Sequence, residues 1–226
     1  DHDKGKTHSS GKVIYSSRII PVRGSWIDME IDPKDIVHIR IDRRRKFPIT
    51  LLFKAFGYAT EDLLTYFYRT EKILTDGQSF FKKFNEALLK GQRAGQDIID
   101  PETGEVIVKK GRIVAQRSIR RLKSAQVDRI PISAEEVVGK VSATTIVNPE
   151  TNQPLIRPNE VLDEENLAAV VQAGIREFDV LFIDGVTSSD SIRKTLLLDK
   201  VEAKDEALVE IYRRLRPGNP ATPEVA

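Results

Sequence analysis

The sequence predicts an α+β protein in which a small domain of antiparallel sheet plus helices is interrupted by an inserted α/β module made of an internal repeat. Three observations carry that prediction. Residues 26–41 alternate apolar and polar side chains at period two; residues 100–132 and 148–180 can be laid over one another without gaps; and apolar positions recur at helical spacing near residues 48–68 and 204–215. The 226 residues are 40% hydrophobic and 31% charged, enough apolar mass for one domain or two small ones, so disorder and collagen-like repeats are excluded.

Taken in order, Lys12–Ile20 and Trp26–Ile31 read as strands parted by a turn at Pro21–Ser25, because Ile27, Met29 and Ile31 alternate with Trp26, Asp28 and Glu30. Trp26 therefore falls on the polar face. Val37, Ile39 and Ile41 repeat the pattern in a third strand, with His38, Arg40 and Asp42 pointing the other way. The three make a meander with one wet face. Pro48 suits the start of a helix carrying Leu51, Leu52, Ala55 and Phe56, Gly57 suits its end, and Thr60 can cap a second helix over 61–68. Gln78–Lys90 has the spacing of an amphipathic helix.

The repeat follows. Asp100-Pro101-Glu102-Thr103 and Asn148-Pro149-Glu150-Thr151 are near copies, and at a shift of 48 residues Ile107 falls on Leu155, Ile113 on Val161, Ile119 on Leu167, Leu122 on Val170 and Ile130 on Phe178. Each copy reads as turn, short strand, loop, helix, strand; Asp163 caps the second helix and Gly174 ends it. A last helix over 204–215 places Ala207, Leu208, Ile211, Tyr212 and Leu215 on one face and stops at Pro217-Gly218. It is expected to pack back on residues 12–70.

Charge is segregated beneath a net value of +2. Residues 1–60 carry 12 Lys and Arg against 7 Asp and Glu, residues 107–133 carry 8 against 1, and residues 133–192 reverse to 3 against 11. Basic surfaces attract polyanions through long-range fields and counterion release, although solvated faces within a larger assembly would give the same counts. With no cysteine there are no disulfides, thiolate zinc sites or cysteine nucleophiles. No stretch nears the roughly 18 apolar residues of a membrane span and no apolar leader is present, so a cytoplasmic protein without a membrane partner is expected. The one methionine is Met29, and the ends at Asp1 and after the Pro-rich run 217–223 lead us to expect a segment of a longer polypeptide, the alternative being a processed whole chain.

Few motifs survive inspection. Gly5-Lys6-Thr7-His8-Ser9-Ser10-Gly11-Lys12 has five residues between its glycines and Val13 after the lysine, whereas a P-loop needs four and a Ser or Thr. The loop remains apt for clamping a phosphodiester, or is a plain surface loop. His2, His8 and His38 lack the spacing of a metal site, and His8 with Ser9 lacks an orienting acid for nucleophilic catalysis. Asp163-Glu164-Glu165 reads as a helix start rather than a catalytic pair. What remains is Trp26 on a polar face with the basic cluster Asp42-Arg43-Arg44-Arg45-Lys46 following on a sequential strand able to lie beside it. An aromatic platform with guanidinium groups suits single-stranded nucleic acid, and a Trp half-covered by a neighbouring domain is the alternative.

The runs Asp3–Lys12, Arg18-Ile19-Ile20-Pro21, Arg23-Gly24-Ser25-Trp26, Asp32-Pro33-Lys34-Asp35, Ile41–Lys46, Ala207–Arg213 and Arg216-Pro217-Gly218 closely resemble the β subunit of bacterial DNA-directed RNA polymerase, and within it the lobe domain. The resemblance implies a discontinuous lobe at residues 1–75 and 199–226, with residues 76–198 as a lineage-specific insertion holding the repeats 100–132 and 148–180. It implies that the lobe walls the downstream DNA channel and that Trp26 lies near the non-template strand. Asp42, Arg43, Arg44, Arg45, Lys46, Lys6, His8 and Arg216 would lie along the same DNA path.

By that resemblance the chain is a nucleotidyltransferase part only within the full assembly and is inactive alone. No cofactor is expected in this fragment, since magnesium would be held by the β′ subunit. The implied partners are the non-template strand and downstream duplex DNA, the β′, α, ω and sigma subunits, and transcription regulators at the insertion, in the cytoplasm at the bacterial nucleoid. The alternative is an inserted module that acts mainly as a protein-docking platform for other subunits or regulators.

Overall fold

Period-two alternation builds the first sheet. The computed structural model describes residues 6–9, 11–185 and 188–222, Lys6 through its backbone alone. Strands β1 (Lys6–Thr7) and β2 (Val13–Ile14) form a hairpin, and β3 (Ser16–Ile19), β4 (Ile27–Ile31), β5 (Val37–Ile41) and β6 (Phe47–Pro48) form an antiparallel sheet in that order. Ile27 faces Ile41, Met29 faces Ile39 and Ile31 faces Val37, which gathers the apolar side chains on one face. Helices α1 (Ile49–Ala55) and α2 (Thr60–Phe67) follow directly.

The next stretch comprises β7 (Arg69–Thr75), β8 (Phe80–Lys83), α3 (Glu86–Leu89), β9 (Ile98–Ile99), β10 (Val106–Val108), α4 (Gln116–Ser124) and β11 (Arg129–Ile132). Then come α5 (Ala134–Val137), β12 (Ile146–Val147), β13 (Pro154–Ile156), α6 (Glu164–Gln172) and β14 (Glu177–Phe182). A second four-stranded antiparallel sheet runs β11-β8-β7-β14. Where helical spacing predicts a single helix over 78–90, the chain instead forms β8 and the short α3. Phe80–Lys83 is held between β7 and β11, and this long-range pairing overrides the local period.

Elements recur at the 48-residue offset. Strand β9 falls on β12, the start and end of β10 on those of β13, and α4 on α6. The backbone bonds recur as well: Val114 N–H to Gln92 O is matched by Leu162 N–H to Lys140 O, and Gly111 N–H to Ala94 O by Asn159 N–H to Ser142 O. One apolar core gathers Ile98, Val108, Val114, Ile119, Leu122 and Ile130, and another gathers Ile146, Ile156, Leu162, Leu167, Val170 and Phe178, residue for residue at the same shift.

The chain ends in α7 (Ser191–Leu198), which periodicity did not reveal, and α8 (Lys204–Leu215), which spans the expected residues. Ala207 and Ile211 of α8 enter one core with Ile39, Phe47, Leu51 and Ala55, so this helix packs back on the N-terminal stretch. Two compact units result, Asp1–Phe67 with Ile183–Ala226, and Tyr68–Phe182. The resemblance implies junctions after 75 and before 199. In the structure β7 belongs to the second unit because it pairs along its length with β14. Helix α7 belongs to the first, where the Thr195 hydroxyl accepts from Val37 N–H at 2.9 Å.

One buried ion pair ties the first unit across its interruption. The Lys54 ammonium on α1 lies 3.2 Å from the Asp199 carboxylate, with side chains only 2% and 3% exposed. Thr50 Oγ1 donates to the same carboxylate at 2.8 Å, and Lys54 also donates to the Asp199 and Val201 carbonyls. The buried ammonium and carboxylate are thereby each paired and hydrogen-bonded, as burial requires.

Candidate nucleic-acid interface

Trp26 sits immediately before β4 rather than within it, and continues the polar face of the sheet. Its backbone N–H donates to Asp42 Oδ1 at 3.1 Å and its carbonyl accepts from Asp42 N–H at 2.9 Å. Ser25 Oγ donates to Asp42 Oδ2 at 2.5 Å. Asp42 therefore holds the Gly24-Ser25-Trp26 corner, and its carboxylate is used locally.

The basic run after Asp42 is a turn, not a strand. Asp42 and Arg43 have φ of 48° and 57°, and Arg44 N–H returns to Ile41 O at 2.9 Å, the geometry of a primed hairpin turn between β5 and β6. This bend swings the Arg43 guanidinium over the indole, 5.5 Å from the ring centroid. Arg18 approaches the same ring at 5.6 Å and also pairs with Asp28. With Arg18 opposite Asp28 in the register, Trp26 is its diagonal neighbour on the same face, so it is the register, beyond the alternation of the strands, that singles out Arg18. The indole is 37% exposed, with both guanidinium groups within 5.6 Å of its ring centroid.

The rest of the cluster divides by role. Arg43, Arg44 and Arg45 are exposed, and none forms an ion pair with a carboxylate among the described residues. Lys46 instead pairs with Glu30 at 2.8 Å, and the Lys46 hydrogen bond holds the Glu30 carboxyl below its ordinary value against partial burial. Half-burial pushes the His38 imidazole down, with Lys46 acting in the same direction, so His38 is a neutral structural residue at pH 7. Arg214 Nη1 donates to Lys46 O at 3.2 Å, which sets the end of α8 beside the basic turn. Arg216, two residues on, is exposed and its N–H closes α8 onto Tyr212 O.

His8 lies apart in the exposed β1–β2 turn, where its N–H donates to Lys12 O and its carbonyl accepts from Gly11 N–H, both at 2.8 Å. The side chain of Lys6 lies outside the described residues. Lys12 is occupied structurally, 2.5 Å from Asp35, which Lys194 also approaches at 3.3 Å. The structure thus gathers Trp26, Arg18, Asp42 and Arg43, attaches Lys46 through the same turn, and places His8 on a separate hairpin.

Comparison with known proteins bears on this surface. A family model described as RNA polymerase Rpb2, domain 2, matches residues 2–103. The chain is 60% identical over its full 226 residues to the DNA-directed RNA polymerase subunit beta of Desulforapulum autotrophicum and 58% identical to that of Desulfosudis oleivorans, spanning 16% of each protein. The corresponding subunit of Sorangium cellulosum is 50% identical over 227 positions, again with 16% of its length covered.

Proposed function

We propose, for a chain that belongs to the β-subunit family of bacterial RNA polymerases, that its first unit is a DNA-facing wall of the enzyme, with Trp26 stacking on an unpaired non-template base. The observation that carries this reading is the half-open indole flanked by Arg18 and Arg43 and followed by exposed Arg44 and Arg45. An aromatic face takes any base, at about 1–3 kcal/mol per stacked base, while the guanidinium groups contact phosphates. Lys46, Arg216, His8 and Lys6 would extend the basic path toward downstream duplex DNA.

In this reading the chain positions DNA and does not perform chemistry. Nucleotidyl transfer belongs to the assembled polymerase, with magnesium bound in β′, and β′, α, ω and sigma as protein partners in the cytoplasm. Among the described residues no helix is long and apolar enough to cross a membrane. For residues 76–198, read as an inserted module built on two repeats, docking of a regulator or subunit is the second proposal. It is favoured by the opposite charge of the two segments.

Trp26 is the sole tryptophan, so its emission reports directly on its own surroundings. Titration with single-stranded oligonucleotide at low salt should quench it, with affinity falling steeply as salt rises. Trp26→Ala combined with Arg43→Ala should weaken binding, followed by anisotropy of labelled oligonucleotide, about tenfold or more. Equal affinity of wild type and double variant would refute the stacking surface.

A further inference from the structure

The equivalent surfaces of the two like-built segments differ at one seam. In the first, between α3 and α4, Glu86 pairs with Lys123 and accepts from Gln116 Nε2 at 3.2 Å, and Arg120 is the next residue along the exposed face. Charged side chains span that seam. At the 48-residue offset Glu86 becomes Ala134, Lys123 becomes Val171, Arg120 becomes Ala168 and Gln116 becomes Glu164. The same frame is left uncovered between α5 and α6. There Phe80, Ala134, Val138, Leu167, Ala168 and Val171 line an open groove of about 610 Å³, with Glu135 and Glu164 exposed at its rim.

We propose that this α5–α6 groove binds an amphipathic helix of a partner protein, its apolar anchors in the groove and Lys or Arg side chains against the Glu135 and Glu164 rim. Charge supports that occupant: residues 148–180 carry 7 acidic against 2 basic residues, so a nucleic acid is repelled and a basic segment attracted. The walls are helices rather than an unpaired strand edge, which favours helix-in-groove recognition over strand addition. The inference rests on the docking reading of residues 76–198 and is independent of the Trp26 surface.

The first segment supplies the decisive variant. Ala134→Glu, Ala168→Arg and Val171→Lys together transplant its charged cover onto the groove, in a frame that already accommodates those side chains. The 226-residue chain is titrated with a labelled helical peptide bearing Leu on one face and Lys on the other, with anisotropy as readout. The triple variant should bind at least about tenfold more weakly, whereas Glu165→Gln, which makes the same net charge change outside the groove, should bind within about twofold of wild type. Circular dichroism checks folding, and Ala168→Arg alone serves if the triple variant unfolds. Equal losses in the triple variant and Glu165→Gln would reduce the effect to charge and overturn the proposal. So would undiminished binding by the triple or single variant, equally tight binding of a Leu and Glu peptide, or a wild-type dimer that the triple variant dissolves.

Discussion

Segments 100–132 and 148–180 share a backbone plan and differ in what they show to solvent. Their buried positions correspond: Ile119 with Leu167, Leu122 with Val170, Ile130 with Phe178. Their exposed positions do not, with 8 basic and 4 acidic residues in the first against 2 and 7 in the second. Interior packing tolerates little change in volume, whereas an exposed charge usually alters stability by only tenths of a kcal/mol. A frame can therefore be kept while its surface is rewritten. Where φ is positive the frame also constrains residue type: Gly104 and Asn152 occupy equivalent turns at φ 70° and 56°.

The stretches that lead into the two segments share one buried charge. Glu71 on β7 is 5% exposed, lies 2.7 Å from Lys140 and 3.9 Å from Lys82, and Lys82 donates to Gln92 at 2.6 Å. Gln92 and Lys140, which precede segments 100–132 and 148–180, are equivalent positions at the 48-residue offset, so the lead-in to each segment sends one side chain to the same cluster. Burial pushes the Glu71 carboxyl up, but the two lysines outweigh it and hold it below its ordinary value.

The sharpest way to break the comparison is Glu71→Gln, which strands Lys82 and Lys140 and should cost about 3–5 kcal/mol in urea unfolding at pH 7. A depressed carboxylate contributes stability that is complete above its unfolded value, near 4.3, and is lost as pH falls through the folded value. Wild type should therefore lose stability below about pH 5, and Glu71→Gln should lose less over that range. Equal acid slopes would show that Glu71 does not link the two lead-ins.

Next in size, Ile119→Ala and Leu167→Ala delete equivalent core side chains and should each cost about 2–5 kcal/mol. Midpoints that fall together would mark one cooperative unit, and separate transitions would mark two. The smallest effect lies at the helix starts. Asp163 caps α6, accepting from Asn166 N–H at 2.8 Å, while the equivalent Ala115 begins α4 without a side-chain cap. Asp163→Ala should cost about 1 kcal/mol and Ala115→Asp should return a similar amount, both read from thermal unfolding. A null result for Ala115→Asp would separate the two frames at their first turn.

Legibility in the sequence followed the range of the interactions. Strands 27–31 and 37–41, α6 with its cap and α8 are specified by neighbours a few residues away, and all were readable. Strand β8 was not, because Phe80, Phe81 and Phe84 satisfy a helical stripe equally well and only pairing with β7 and β11 decides. The turn at Asp42-Arg43 escaped for another reason: an arginine at positive φ carries no local signal, whereas Gly or Asn would have announced it. The proximity of Trp26 and the basic run was legible, and the second cation on the ring, Arg18, required the register.

The Lys54–Asp199 staple has a consequence for a chain made from its N-terminus onward. Its two halves are separated by the whole of residues 68–182, whose entry and exit strands are cross-strand partners from Arg69 opposite Phe182 onward. At roughly 5–20 residues per second, the ammonium of Lys54 emerges from the ribosome about 7–30 s before the carboxylate it needs. During that interval α1 cannot settle into its final core without burying an unmatched charge. The intervening unit, complete in itself by residue 182, is thus free to fold first, and its closure brings the two parts of the earlier one to adjacent points of departure.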